Sequence, residues 1–264
     1  MANDLKPKNY SLDELLYNLL YDYQYRNNFL NDELNELNLS ADHLNHIKTI
    51  DKEELAATAT TIVRNLMSGN IEHNGGLRTS FPGVFQALEF RKTDITLLMH
   101  KFLASKHFEG YMELPYAGEG TCIEEAFYNY LSENEEFILA AENNHLLLKH
   151  EFLNAILSIL TVNKHPFFRI DSDLVKNNGH IYYAYQTYSK EISEALSGKK
   201  VAGDSEMVIW LYAATEKNLV RGPIHPSILE MVEIGSSRKI SRQQKFNQDQ
   251  IDWILNLGLI KNDG

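Results

Sequence analysis

The 264-residue chain is 44% apolar and carries 25 Lys and Arg against 36 Asp and Glu, a formal net charge of −11. That balance argues against a nucleic-acid reader, whose affinity rests on phosphate contacts from a basic surface. The single cysteine, Cys122, excludes an intrachain disulfide and a thiolate zinc site; with no secretion signal and no apolar run near the roughly twenty residues of a membrane span, a cytoplasmic protein is expected.

From the start of the chain to about residue 163 the pattern is helical. Residues 10–37 place Leu12, Leu15, Leu16, Leu19, Leu20 and Tyr23 at helical spacing. Ser11 with Glu14 forms a capping box, in which hydroxyl and carboxylate satisfy free amides at the helix start. Asp51 with Glu54 repeats that logic before a helix presenting Leu55, Ala59, Ile62, Val63 and Leu66 and stopping at Gly69. Residues 93–108 carry Ile95, Leu98 and Phe102 on one side. Thr121 with Glu124 marks another start, and residues 146–160 are apolar nearly throughout, as a central helix would be. The turns at 74–76 and 114–118 read as connectors.

The composition changes near residues 163–166. Residues 1–163 hold 12 basic and 24 acidic groups, and residues 164–264 hold 13 and 12. We therefore expect two domains, 1–163 and 164–264. Residues 180–188 are aromatic and strand-like. The polar stretch 189–205 reads as a mobile insertion in which residues 190–196 suit a helical turn or two. Residues 207–214 and 218–224 are β-rich and separated by Thr215, Glu216 and Lys217, which predicts a hairpin.

A helix start follows at His225-Pro226-Ser227. Ile251, Ile254 and Leu255 then share a helix face, and Gly258 ends that helix because glycine adopts the left-handed C′ conformation cheaply. Leu259 and Ile260 are expected to begin a short strand or wing. The fold class is α+β: a helical domain followed by a winged helix-turn-helix of three strands and three helices. Such an order binds something elongated, nucleic acid or peptide. The last helix carries Asp249 and Asp252 and no cation, which disfavours DNA; the basic run Arg238, Lys239, Arg242 and Lys245 is a solvated surface or an anion-facing patch.

Catalytic and metal-binding patterns are scarce. His43 and His46 share a helix face, as do His100 and His107, whereas His145 and His150 diverge by roughly 140°. No HExxH motif occurs. Glu124 and Glu125 suit a helix N-terminus. Cys122 precedes the same helix, a position that lowers a thiol pKa, but no His and Asn constellation accompanies it. No catalytic or metal-ligating residue is assigned, and no cofactor is expected on this chain. Arg78, after Asn74-Gly75-Gly76-Leu77, is a turn residue that either faces solvent or faces a partner.

The terminal segment, ending in Ile251-x-x-Ile254-Leu255-x-x-Gly258-Leu259-Ile260, resembles the recognition element that binds precursor peptides of ribosomally synthesised natural products. The stretches 39–88 and 102–131 resemble the partner proteins of multinuclear non-heme iron-dependent oxidases, as in methanobactin biosynthesis. The insertion at 189–205 departs from a minimal recognition module. The resemblance implies a non-catalytic subunit whose partners are an iron-dependent oxidase and a precursor leader, with iron on the oxidase and no nucleic acid or membrane involved. It implies a leader strand added beside residues 218–222, with Lys217, Leu219, Arg221, Gln248, Ile251, Asp252 and Leu255 as candidate peptide-binding residues and Arg78 as a partner-facing one. Ile251, Ile254 and Leu255 line the leader groove or fill the core, core being favoured for Ile254 and Leu255. A winged-helix transcription regulator and a stand-alone enzyme are the alternatives.

Overall fold

The computed structural model describes residues 10–37, 39–69, 76–112, 121–139, 141, 143–162, 168–198, 200, 206–243 and 245–263. The chain divides into two compact units, residues 1–113 with 126–148 and residues 114–125 with 149–264. The second unit thus begins at Lys149, inside a helix, rather than at residue 164, and takes in residues 114–125. The connectors expected at 74–75 and 114–118 lie outside the described residues.

The first unit is helical. Its elements are α1 (Leu12–Tyr21), α2 (Tyr23–Leu30), a 3-10 turn at Leu34–Leu37, α3 (Ala41–Ile47), α4 (Lys52–Ser68), α5 (Gly76–Ser80), α6 (Pro82–Phe90), α7 (Ile95–Leu103) and α8 (Lys106–Met112). Then come α9 (Ile123–Ser132), α10 (Glu135–Ile138) and the start of α11 (Asn144–Val162). The Ser11–Glu14 capping box forms, with both reciprocal bonds made. The long helix expected over 10–37 breaks at Asp22, which ends α1 and accepts the Tyr25 amide to cap α2. That cap satisfies an amide that a helix start otherwise leaves free. Leu15, Leu19, Phe29, Leu37, Ile47 and Leu55 form one buried cluster. Phe81, Phe85 and Phe102 surround Phe127 at centroid distances of 5.2–5.8 Å.

Of the described helices, α11 is long and apolar enough to cross a membrane by length and composition. It exceeds the apolar length anticipated from sequence. Leu148, Phe152, Leu153, Ile156, Leu157 and Leu160 along it are buried in the protein, between 0% and 3% exposed.

The second unit is built on four antiparallel strands in the order β1 (Lys176–Asn177), β2 (Tyr182–Ser189), β3 (Met207–Ala214) and β4 (Leu219–Ile224). The sheet therefore has one strand more than expected. β1 is a two-residue strand too short to leave a periodic signal. Between β2 and β3 lies α12 (Lys190–Ser197), capped by Ser189 and ended by Gly198. This part of the supposed insertion is ordered: Ser193 is fully buried and accepts the Trp210 indole N–H at 2.6 Å. Residues 199 and 201–205 lie outside the described residues.

Three helices follow the sheet, α13 (Pro226–Ile234), α14 (Ser237–Ser241) and α15 (Gln248–Asn256). Strand alternation sends Tyr183, Leu211 and Ala213 to the face that packs with Ile228, Met231, Val232, Ile240 and Ile254. Burying side chains of this size stabilises by about 1.5–3 kcal/mol each before entropy is counted. At Gly235 φ is +71° and an added Cβ would lie 2.9 Å from the Asn178 carbonyl oxygen, so only glycine allows the end of α13 to meet the β1–β2 turn. Leu259 and Ile260 form no wing strand. They are 0% and 2% exposed in the core, and only a single parallel bridge, Ser236 with Lys261, follows.

Candidate functional site

The β3–β4 hairpin closes one residue tighter than the spacing suggests. Thr215 pairs with Asn218, its amide donating to the Asn218 carbonyl at 3.1 Å, and Glu216 and Lys217 form the turn. This closure fixes the ladder parity. Val220, Gly222 and Ile224 exchange hydrogen bonds with β3, while Leu219, Arg221 and Pro223 turn their backbone groups outward. Pro223 fits this register because it has no amide to offer and proline is confined to strand edges. β4 is the terminal strand of the sheet. Its outer edge therefore offers amides at Leu219 and Arg221 and carbonyls at Leu219, Arg221 and Pro223. Gly222 has φ of +149°, a value only glycine adopts readily.

The face of the sheet away from α13–α15 carries a hydroxyl–imidazole chain. The Tyr188 and Tyr212 hydroxyls are 2.9 Å apart, and the Tyr212 hydroxyl lies 2.7 Å from Nδ1 of His150 on α11. Tyr188 is 1% exposed, and among the described residues Tyr212 is its one hydrogen-bond partner. The order that satisfies both buried hydroxyl protons has Tyr188 donating to Tyr212 and Tyr212 donating to His150 Nδ1. The imidazole is thereby the Nε2–H tautomer. Burial, helped by the nearby Arg221 charge, pushes His150 down to about 4, and burial raises Tyr188 to about 12. Asn154, one turn along α11, donates to the His150 carbonyl at 2.9 Å and accepts from Arg221 Nη1 at 2.8 Å. His150 and Arg221 border a groove of about 960 Å³, floored by β3 and β4 and walled by the end of α12.

The sequence-derived candidates divide. Leu219 is half-buried and Arg221 exposed on β4, and Lys217 is exposed at the turn that follows β3. Gln248 and Asp252 are exposed on α15 and hydrogen-bond each other at 2.8 Å. Ile251 is a correction: at 3% exposure it belongs to the core with Ile254, and Leu255 packs against the same cluster. The apolar face of α15 is thus spent on folding. Its end abuts the hairpin, since an added Cβ at Gly258 would be 3.7 Å from Thr215 Cβ. Arg78, in the first unit, is held inside that unit by an ion pair with Glu89 and by the face of the Phe85 ring 5.0 Å away.

The sequence reading weighed His150 only with His145 as a metal pair and passed over Asn154, Tyr188 and Tyr212 as site residues. The alternation of Val208, Trp210 and Tyr212 along β3 does carry their shared face, but their meeting with α11 depends on tertiary packing that no local pattern encodes.

Other reactive groups are occupied by structure. His43 Nδ1 is 3.0 Å from the Ser40 hydroxyl and His46 Nδ1 is 2.8 Å from the Asp42 carbonyl, so each ring is tied to its own helix. His100 stacks on Tyr23 and meets Arg26 at 3.2 Å; His107 pairs with Glu133 at 3.1 Å. Among the described residues no three His, Cys, Asp or Glu side chains gather as a metal site. Cys122 corrects the expectation of a depressed thiol. It is 7% exposed, and burial with the Glu124 and Glu125 charges pushes it well above the ordinary value. Glu125 is fully buried and accepts the Asp171 amide at 3.1 Å; burial pushes its carboxyl up to about 7. Arg238, Lys239 and Arg242 border a concavity of about 610 Å³ that also includes Asp263, and Lys245 is ion-paired with Glu230.

No family model, curated protein or solved structure matches this chain.

Proposed function

We propose that the chain is a non-catalytic partner subunit that binds the leader of a ribosomally synthesised precursor peptide and presents it to an iron-dependent oxidase acting on the peptide's cysteines. The observation that carries this reading is the edge of β4, a terminal strand with outward amides at Leu219 and Arg221, followed directly by three helices packed on the sheet. An open edge takes an extended peptide as an added strand, with main-chain bonds supplying affinity and alternate side chains supplying specificity. Strands β2, β3 and β4 with α13–α15 give the order of a peptide-recognition winged helix, β1 and α12 being additions to it. Leu219, Arg221 and Lys217 lie along the docking strand and its turn; Gln248 and Asp252 are the polar groups that α15 leaves exposed. The iron belongs to the oxidase, and the acidic helical unit is its docking surface, holding peptide and enzyme together as an effective-concentration effect.

The experiment first looks beside the gene for an iron-dependent oxidase and a short cysteine-bearing open reading frame, whose absence counts against the proposal, and then combines the purified chain with that oxidase and that peptide. The three should co-elute at micromolar concentration in moderate salt, and the chain alone should hold no stoichiometric iron. Separate elution with the peptide present, or iron tightly held by this chain alone, defeats the proposal. A gel shift with genomic DNA across a salt series tests the regulator alternative.

A further inference from the structure

We infer that the groove bordered by His150 and Arg221 is a subsite for a carboxylate side chain, Asp or Glu, of the peptide strand that docks on β4. This inference rests on the strand-addition reading and adds the chemistry of one side chain to it.

Two separate supports set N–H donors at this groove. Along the first, Tyr188 donates to Tyr212 and Tyr212 to His150 Nδ1, which leaves the His150 proton on Nε2, on the far side of the ring. Along the second, the Asn154 amide is held by the α11 backbone and its oxygen takes one Arg221 N–H. One of the five guanidinium donors is spent there, and the fork retains capacity for a bidentate carboxylate. Lys200 adds a second cation to the lining, beside Arg221. Among the described residues no Asp or Glu lines the groove, although the chain as a whole is strongly acidic. Among the described residues Arg221 has no carboxylate partner, whereas Arg78 and Arg169 each do.

Register supplies the position. Leu219, Arg221 and Pro223 project their side chains to the His150 face, and Val220 and Ile224 pack on the helical side. A strand added outside β4 places every second residue on the His150 face, and the residue opposite Arg221 comes within about 5 Å of it. The leader therefore carries an acid opposite Arg221 and apolar residues at alternate positions turned toward Val220 and Ile224. Beyond Pro223 the amide ladder stops, and apolar wall residues such as Leu196, Val208 and Trp210 take over from backbone pairing.

A phage-displayed random dodecapeptide library, panned on the immobilised full chain, tests this without knowledge of the natural leader. Enriched peptides should share one acidic residue within an alternating apolar pattern. With a fluorescein-labelled enriched peptide, changing that acid to its amide should weaken binding at least tenfold by anisotropy. Arg221→Glu should do the same, and a lysine at the acid's position should restore binding to that variant; circular dichroism checks that the variant folds. If enriched peptides share no acid, or the amide change costs less than twofold while Leu219→Pro still abolishes binding, the carboxylate subsite is wrong and strand addition stands. If no peptide enriches, or Leu219→Pro and Arg221→Glu both leave binding unchanged, the strand reading falls and the subsite with it.

Discussion

Tyr212 holds His150 through a 2.7 Å hydrogen bond from its hydroxyl to Nδ1, and that bond ties α11 to β3, an inner strand of the sheet. His150 stays neutral in the folded protein down to about 4, while the unfolded side chain takes its proton near 6.5. Between those values the unfolded chain binds more protons, so stability rises with pH across that window. The contribution is complete above 6.5 and is lost as pH falls toward 4. It amounts to roughly 2 kcal/mol, reduced from the full shift because the ring is partly exposed. Urea denaturation at pH 7.5 and 5.0 should show that His150→Gln cancels most of this loss.

Glu125 works in the opposite sense. Its folded value of about 7 exceeds the unfolded 4.5, so its favourable protonated state is complete below 4.5 and is lost as pH rises through 7. Glu125→Gln keeps an acceptor for the Asp171 amide and removes the buried charge. The variant should be more stable than the parent at pH 8 by roughly 1–2 kcal/mol, with the difference vanishing near pH 4.5.

Proline scanning separates the two sides of β4. The Leu219 amide faces outward, so Leu219→Pro should leave the melting temperature nearly unchanged and weaken peptide binding at least tenfold. The Val220 amide pairs with β3, so Val220→Pro should destabilise the fold by about 1–3 kcal/mol or more. Equal losses of stability from both would show that the ladder parity is wrong.

The Trp210 indole N–H and the Ser193 hydroxyl are both buried and bond at 2.6 Å. Ser193→Ala strands the indole donor and should cost about 1–3 kcal/mol. Trp210→Phe in the Ser193→Ala background should then cost less than Trp210→Phe alone, a difference that a double-mutant cycle reads directly.

A fragment of residues 164–264 lacks the α11 residues that meet the Tyr188 and Tyr212 face. Expressed alone it should keep far-UV dichroism, lose near-UV dichroism and bind a hydrophobic dye. Starting the fragment at Asn144 should restore much of the near-UV signal.

The parts of this fold written in short-range chemistry were legible from sequence. The Ser11–Glu14 capping box, the hairpin around Glu216 and Lys217 and the helix ending near Gly258 each rest on residues a few positions apart. Where the reading missed, a single local cap or distant residues decided. Asp22 divides a run that hydrophobic periodicity presents as continuous. Leu259 and Ile260 look like a strand but are drawn into the core beneath α13 and α15. Ile251 shares a face with Ile254, and periodicity cannot tell a core face from a binding face. The division at Lys149 cuts through a uniformly apolar helix, which offers no compositional break to read. His150, which diverges from His145 around the helix, carries no local signal because its ties, to Tyr212 and through Asn154 to Arg221, span more than sixty positions.

The placement of Arg221 and Pro223 on β4 also governs how one copy of the chain meets another. An exposed sheet edge is a template for its own duplicate, the route to strand-swapped dimers and fibrils. Two β4 strands paired antiparallel about a two-fold axis at Arg221 would set the two guanidinium groups directly opposite each other. Each Leu219 carbonyl would face a Pro223 that has no amide to give. Like charges facing across strands repel, and the ladder loses a donor at both ends. In that register the edge disfavours its twin, whereas the proposed acidic strand would meet neither obstacle.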